Sequence, residues 1–371
     1  MLDKRQIRNF DFPLLILSVA LAAYGLVVIY SATHFMGYVE DPFFYVRRQG
    51  MWLILGVASI FVISMINYIN FYYWARYFYI ISVFLLVLVL FIGTGAREAP
   101  DILRWISLGF VDIQPSEYAK PALILMLAKY LSDKENELET FYDLLPAFAY
   151  TGIMMGLIFL QPDLGTSLVF IAILLGCLYI AGAKLKHLAV VIGAGIAALP
   201  LLWQLLEGYQ RMRFIVFINP DLDPLGAGYQ LMQSIIAVGS GGTWGKGLLE
   251  GTQVQGRFLP EQHTDFIFSV LGEELGFAGA VVMLLLFFGM VYRILWIGAQ
   301  AKDKFGAYIC CGVATMLIFQ VIVNVGMAVG IMPVTGLPLP FMSYGGNALF
   351  ANLLSIGLVL NIGMRRHKIQ F

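Results

Sequence analysis

The sequence predicts an all-α integral membrane protein of about ten transmembrane helices, with a large extracytoplasmic loop, about 207–264, between helices 7 and 8. Three observations carry that prediction. Hydrophobic residues make up 60% of the chain and charged residues only 12%, so little charge is available to cover a soluble core. The apolar residues fall into ten runs of roughly helical length, separated by polar breaks. Lys and Arg are unevenly shared between the two sets of breaks. A formal net charge of +0 argues against nucleic acid as a partner, and the chain reads as one polytopic membrane domain, 1–371.

The basic start, with Lys4, Arg5 and Arg8, precedes the first run at 12–32. That run is long enough to span and lacks a small-residue cleavage site, so it reads as a retained helix rather than a signal peptide. Further runs lie near 49–66, 77–92, 117–131, 144–160, 164–182, 187–206, 265–298, 307–332 and 346–364. The break at 161–164 is short enough to make helices 5 and 6 a tight hairpin. With a cytoplasmic N-terminus, the inner segments hold fourteen of the 23 Lys and Arg residues, from Lys4, Arg5 and Arg8 through Arg76 to Arg365, Arg366 and Lys368. An even number of spans returns the C-terminus to the same side. The acidic stretch 132–143 reads as a solvated inner loop. The unusual polar segments, 95–120, 160–166, 207–262 and 332–346, then all fall on the outer face. Cys177, Cys310 and Cys311 sit inside apolar runs without disulfide or metal spacing and read as ordinary core or lipid-facing residues.

Several polar clusters are candidates for chemistry. Arg104 and Trp105 precede Gln114-Pro115-Ser116-Glu117 and Lys120. Pro115 suits a first helical turn and Glu117 a helix N-terminus. Glu117 and Lys120, three apart, share a face, which leaves two readings: a structural ion pair, or a cationic ligand for an anionic headgroup. Asp163, after Gln161 and Pro162, reads as an N-cap and also as an outward-facing polar group. In the long loop, Gln210, Arg211 and Arg213 set two guanidinium groups at the outer surface, suited to bidentate phosphate contact. The glycine-rich stretch 239–247 is not a P-loop, since Ser240 replaces its first glycine and Gly247 its Ser or Thr; it reads as a flexible turn. His263, Thr264 and Asp265 open the eighth helix and make no metal or nucleophile motif by themselves. Asp265 is explained equally as a helix cap or as a functional carboxylate at the water–membrane boundary. Glu273 and Glu274 read as buried network members. Pro333, Pro338 and Pro340, followed by Ser343 to Gly346, predict a non-helical outer segment that dips toward the membrane.

Taken together, RW with QPSE and AK at 104–120, QPDLGT at 161–166, DPLGAGYQ at 223–230, FLPEQHTDFIFSVLGEELG at 258–276 and PLPFMSYGG at 338–346 resemble the SEDS family of shape, elongation, division and sporulation proteins. The likeness is co-linear, covers nearly the whole chain, and is nearest the elongation branch. It implies a ten-helix peptidoglycan glycosyltransferase of the bacterial cytoplasmic membrane, with both termini cytoplasmic and the active site on the outer face. Such an enzyme polymerises lipid II, an undecaprenyl-pyrophosphate-linked disaccharide pentapeptide, into β-1,4 glycan strands for cell-wall elongation and cell shape.

The resemblance matches Asp265 to the family's catalytic aspartate, and so to the general base of an inverting displacement that releases undecaprenyl pyrophosphate. Of the outward cations Arg104, Lys120, Arg211 and Arg213, Lys120 and Arg211 are the preferred pair for the pyrophosphate. Glu117, Asp163, Gln210, His263, Thr264 and Ser343 complete the expected substrate-binding set. A divalent cation, Mg2+ or Mn2+, bridging the pyrophosphate is compatible with the chemistry, although the sequence displays no dedicated metal cage. Implied partners are a class B penicillin-binding protein transpeptidase and elongation-complex proteins such as MreC and MreD. Two other classes compete. A lipid II flippase also fits charges at membrane depth, but no inverted repeat is visible and the distinctive residues crowd one face. A non-catalytic scaffold leaves Asp265, Arg211 and Lys120 without a task.

Overall fold

The computed structural model describes residues 8–35, 41–95, 103–109, 111–134, 138 and 140–366; Lys4, Arg5, Lys368 and the 96–102 part of the outer polar segment lie outside them. Among the described residues, each of the ten apolar runs is a helix: α1 (Phe12–His34), α2 (Phe44–Met65), α3 (Tyr68–Ile92), α4 (Pro115–Asp133), α5 (Leu145–Phe159), α6 (Leu164–Ile180) and α7 (Leu185–Leu205) come first. The long loop contributes α8 (Gly208–Ile218), α9 (Ala227–Ser240) and the single turn α10 (Thr252–Gln255), before α11 (Ile267–Ala299), α12 (Lys304–Ala328) and α13 (Gly346–Met364). Among the described residues, eight helices are long and apolar enough to cross a membrane. Of the other two long ones, α6 has 17 residues, and α4 carries Glu117, Lys120, Lys129 and Asp133.

Local chemistry sets several of the helix starts. Asp11 accepts the Leu14 amide ahead of α1, Asn67 the Ile69 amide ahead of α3, Asp163 the Thr166 amide ahead of α6, and Asp303 the Gly306 amide ahead of α12. Two starts differ from the hydropathy reading. α3 begins at Tyr68 rather than near 77, because the aromatic-rich stretch 68–76, only weakly apolar as a run, buries Tyr68, Phe71 and Ala75 on one helical face. Arg76 therefore lies on a helix rather than in a loop. α2 likewise begins at Phe44, which puts Arg47 and Arg48 in its first turns.

The most buried spans, α12 and α13, form the centre of the bundle, and α7 is its most exposed member. α13 packs along α2, α12 packs on α4, α6 and α11, and α1 packs on α11. At one end of the bundle the start of α1 meets the ends of α11 and α13. There the buried Asp11 carboxylate pairs with Arg293 and Arg366, and both guanidinium groups lie 4.3 Å from the Trp296 ring. The opposite end carries a short antiparallel ladder, β1 (Ile106–Ser107) with β2 (Asp112–Ile113), and the segment 331–345. That segment is non-helical as expected and turns inward, burying Leu337, Leu339, Phe341 and Met342. The stretch 241–247 is not a free turn: its backbone is hydrogen-bonded to α11.

Candidate active site

α4, α6, α11 and α13 all start at this second end, and their N-termini surround a cavity of about 860 Å³. That volume is near the upper end of the range for small-molecule sites. Helix N-termini carry exposed amides and partial positive charge, so the enclosure favours an anionic ligand before any side chain is considered.

Asp265 lines the cavity just before α11. It is not a cap: α11 starts at Ile267 with Phe266 in the cap position and no capping side chain. Its backbone is held instead. Asn324 of α12, fully buried, donates its amide to Asp265 O and Leu337 O, both at 2.8 Å. Ser343 Oγ donates to Thr264 O at 2.6 Å and accepts the Leu339 amide at 2.8 Å. The stretch that carries Asp265 and the inward-turning segment are thereby one unit. Burial pushes the Asp265 carboxyl up to about 6; the Arg213 guanidinium opposes this, the Glu261 and Asp163 carboxylates add to it, and Arg104 opposes it.

Arg213 is the nearest cation in effect. Gly336, at φ 74°, lies between the two groups: a Cβ there would stand 3.3 Å from Arg213 Nη1 and 3.4 Å from Asp265 Oδ2. Arg104 donates to the carbonyls of Gln161 and Pro162 and stands 3.9 Å from the Asp163 carboxylate. Asp163 accepts both the amide and the hydroxyl of Thr166, so its capping and its place in the cavity wall coexist. Gln210 donates to Pro162 O at 3.1 Å.

The expected set divides. Asp265, Glu117, Arg104, Gln210, Arg213, Asp163 and Thr264 line the cavity, whereas Lys120, Arg211, His263 and Ser343 do not. Neither of the two cations preferred for the pyrophosphate is thus part of the cavity wall. Lys120 is fully buried, its ammonium 2.7 Å from Glu117 Oε2, which is the structural ion pair. Arg211 donates to Gln204 O at the end of α7. His263 packs between the rings of Tyr45 and Tyr344, and burial lowers its pKa against the opposing Glu261 carboxylate, so it is neutral near pH 7. Ser343 acts through the backbone of Thr264.

Arg48 and Glu261 are among the lining residues that escaped the sequence reading. Arg48 of α2 reaches the cavity beside Tyr344; its neighbour Gln49 ties Ser343 O and the Gly345 amide, and nothing local links positions 48 and 344. Glu261 lies within the FLPEQHTD stretch, a signal available but not used. Its carboxylate accepts the Thr264 hydroxyl at 2.8 Å.

The model of the FtsW/RodA/SpoVE cell cycle proteins matches residues 12–368. The chain belongs to the FtsW/RodA/SpoVE family. Among relatives of this family, the peptidoglycan glycosyltransferase MrdB of Escherichia coli K12 is 40% identical over 98% of this chain and 95% of its own. The probable peptidoglycan glycosyltransferase FtsW of Trichlorobacter lovleyi is 37% identical over 96% and 94%. Stage V sporulation protein E of Bacillus subtilis is 38% identical over 95% and 96%. Solved structures agree. A chain of a peptidoglycan synthase complex that coordinates polymerization and crosslinking superposes with a TM-score of 0.79 at 35% identity, covering 95% of this chain and 97% of that one. The rod shape determining protein RodA of Thermus thermophilus gives 0.71 at 33% identity, covering 97% and 98%. In this FtsW/RodA/SpoVE member the cavity wall draws on residues from α2 to α13, so the site belongs to the whole family fold and not to the long loop alone.

Proposed function

We propose that this protein is a peptidoglycan glycosyltransferase that polymerises lipid II, with Asp265 as general base, and that it lies in the bacterial cytoplasmic membrane with both termini cytoplasmic and its cavity on the outer face. The observation that carries the reading is the placement of Asp265 beside Arg213 across Gly336, in a cavity ringed by four helix N-termini, in a chain 40% identical to a relative named for this activity.

In the reaction the 4-hydroxyl of an acceptor GlcNAc attacks C1 of a MurNAc. The new O4–C1 bond forms as the C1–O bond to undecaprenyl pyrophosphate breaks, and the hydroxyl proton passes to Asp265. A single displacement inverts the α-linked donor to a β-1,4 product. The departing pyrophosphate needs positive charge, for which Arg213, Arg104 and the helix N-termini are available. Lys120 and Arg211 are replaced in that role, since neither lines the cavity. As for Mg2+ or Mn2+, no group of three or more His, Cys, Asp or Glu among the described residues is arranged to hold an ion. A class B penicillin-binding protein transpeptidase is the proposed partner, by likeness to the complex that couples polymerization to crosslinking; MreC and MreD follow from the SEDS resemblance alone.

The test is glycan-strand formation from lipid II by purified protein in detergent, where flipping across a bilayer has no meaning. Wild type with its transpeptidase should make strands, and Asp265→Asn should bind lipid II while losing roughly 10²- to 10⁴-fold in rate. Strand yield near wild type from Asp265→Asn removes Asp265 from the role of base. Lipid II transport by a wild type that makes no strands favours the flippase.

A further inference from the structure

α11 is broken at Gly276, whose φ of 64° and ψ of −162° are non-helical. Continuous helix would pair the Phe277 and Ala278 amides with the carbonyls of Glu273 and Glu274. The loop 241–247 takes all four groups instead. Phe277 N and Ala278 N donate to Gly242 O and Thr243 O, each at 2.9 Å, while Lys246 N and Gly247 N donate to Glu273 O and Glu274 O, each at 3.0 Å. The exchange is reciprocal, and it satisfies backbone groups that an apolar setting would otherwise leave at high cost.

Backbone meets backbone here because the contact faces lack Cβ atoms. A Cβ on Gly241 would stand 1.9 Å from Gly272 O, one on Gly245 2.1 Å from Glu274 O, and one on Gly276 2.3 Å from Gly245 N. Side chains hold the joint from both sides. Glu273, fully buried, accepts Lys246 Nζ at 2.7 Å and the Gln253 amide at 3.0 Å. Glu274 accepts the Ser31 hydroxyl of α1 at 2.6 Å. The half-helix fixed in this way, 267–275, begins two residues after Asp265, whereas Arg213 sits on the separate helix α8.

We infer that the loop 241–247 and Gly276 form a backbone splice that sets the position of Asp265, with Gly241, Gly245 and Gly276 as positioning residues. This rests on the general-base reading of Asp265. Straightening α11 would restore its internal hydrogen bonds, free the loop and move the half-helix relative to Arg213.

Hydrogen exchange on the full-length protein reads the splice without reference to activity. In wild type the amides of Lys246, Gly247, Phe277 and Ala278 should exchange slowly; rapid exchange at 246–247 overturns the inference. Gly245→Ala should lose that protection and lower kcat by about 100-fold, the scale of a small misplacement of reacting groups, with lipid II binding retained and the acid limb of the rate profile displaced. Retained lipid II binding separates displacement from misfolding; if the variant does not fold, the wild-type exchange pattern decides. Gly239→Ala, where a Cβ meets nothing within 4 Å, should match wild type in every readout. Should Gly245→Ala lose protection yet keep its kcat and its acid limb, the positioning role is overturned. An active Asp265→Asn sinks the base assignment and with it the positioning role, while exchange still reports whether the joint exists.

Discussion

In the general-base role proposed for it, Asp265 must hold a charge state that opposes folding. Burial raises its folded pKa to about 6, above an unfolded value of about 4. Protonation therefore favours the folded form: its contribution is fully present below about pH 4 and is lost as pH rises through about 6. Activity runs the other way, because the base must be ionised. The polymerisation rate should accordingly fall on the acid side with a midpoint near pH 6. Arg213→Ala removes the main opposing charge and should move that midpoint upward, whereas Glu261→Gln removes a like charge and should move it downward; rate against pH for the three proteins checks both signs. Asp265→Asn should be more heat-stable than wild type at pH 7.5 while inactive, by the stability–activity trade-off seen at strained or charged sites. Lower thermal stability of that variant would contradict the burial account.

At the scale of an element, α4 carries an ion pair whose spacing was legible and whose depth was not. Glu117 and Lys120 are three apart, so contact on one helical face follows from the period alone. That both are almost fully buried comes from the packing of α3, α12 and α13 against α4. The pair is structural in the sense that each charge stabilises the other at depth. Glu117→Gln should destabilise the protein by about 3–5 kcal/mol by leaving Lys120 unpaired, while replacing both residues with apolar ones of similar volume should be near neutral. Thermal unfolding of the single and double variants measures the difference. Equal losses from both would mean the pair does more than neutralise itself. The glycine-rich stretch has the opposite history: its composition signalled a turn, but the four hydrogen bonds to α11 depend on a helix break that hydropathy does not register.

Over the whole molecule, the site exists because distant segments are packed without slack. α1 crosses the inward-turning segment so closely that a Cβ on Gly25 would stand 2.7 Å from the backbone of Met342. Gly25→Ala should push that segment away, destabilise the protein by about 1–3 kcal/mol as overpacking does, and lower polymerisation through the Ser343 and Asn324 tethers. Unchanged melting temperature and rate would show that α1 yields locally.

The ten helical runs, the membrane class, the family motifs and the prominence of Asp265 were determined by the sequence itself, because apolar run length, capping residues and motif order are local properties. Tertiary structure alone decided which charges meet Asp265. Arg211 and Arg213 are two residues apart on α8, so they project about 200° apart around its axis; one meets a carbonyl at the end of α7 and the other the cavity. Lys120 and Arg48 differ in the same way, one turned into the core and one into the cavity, and that choice follows from how the helices pack.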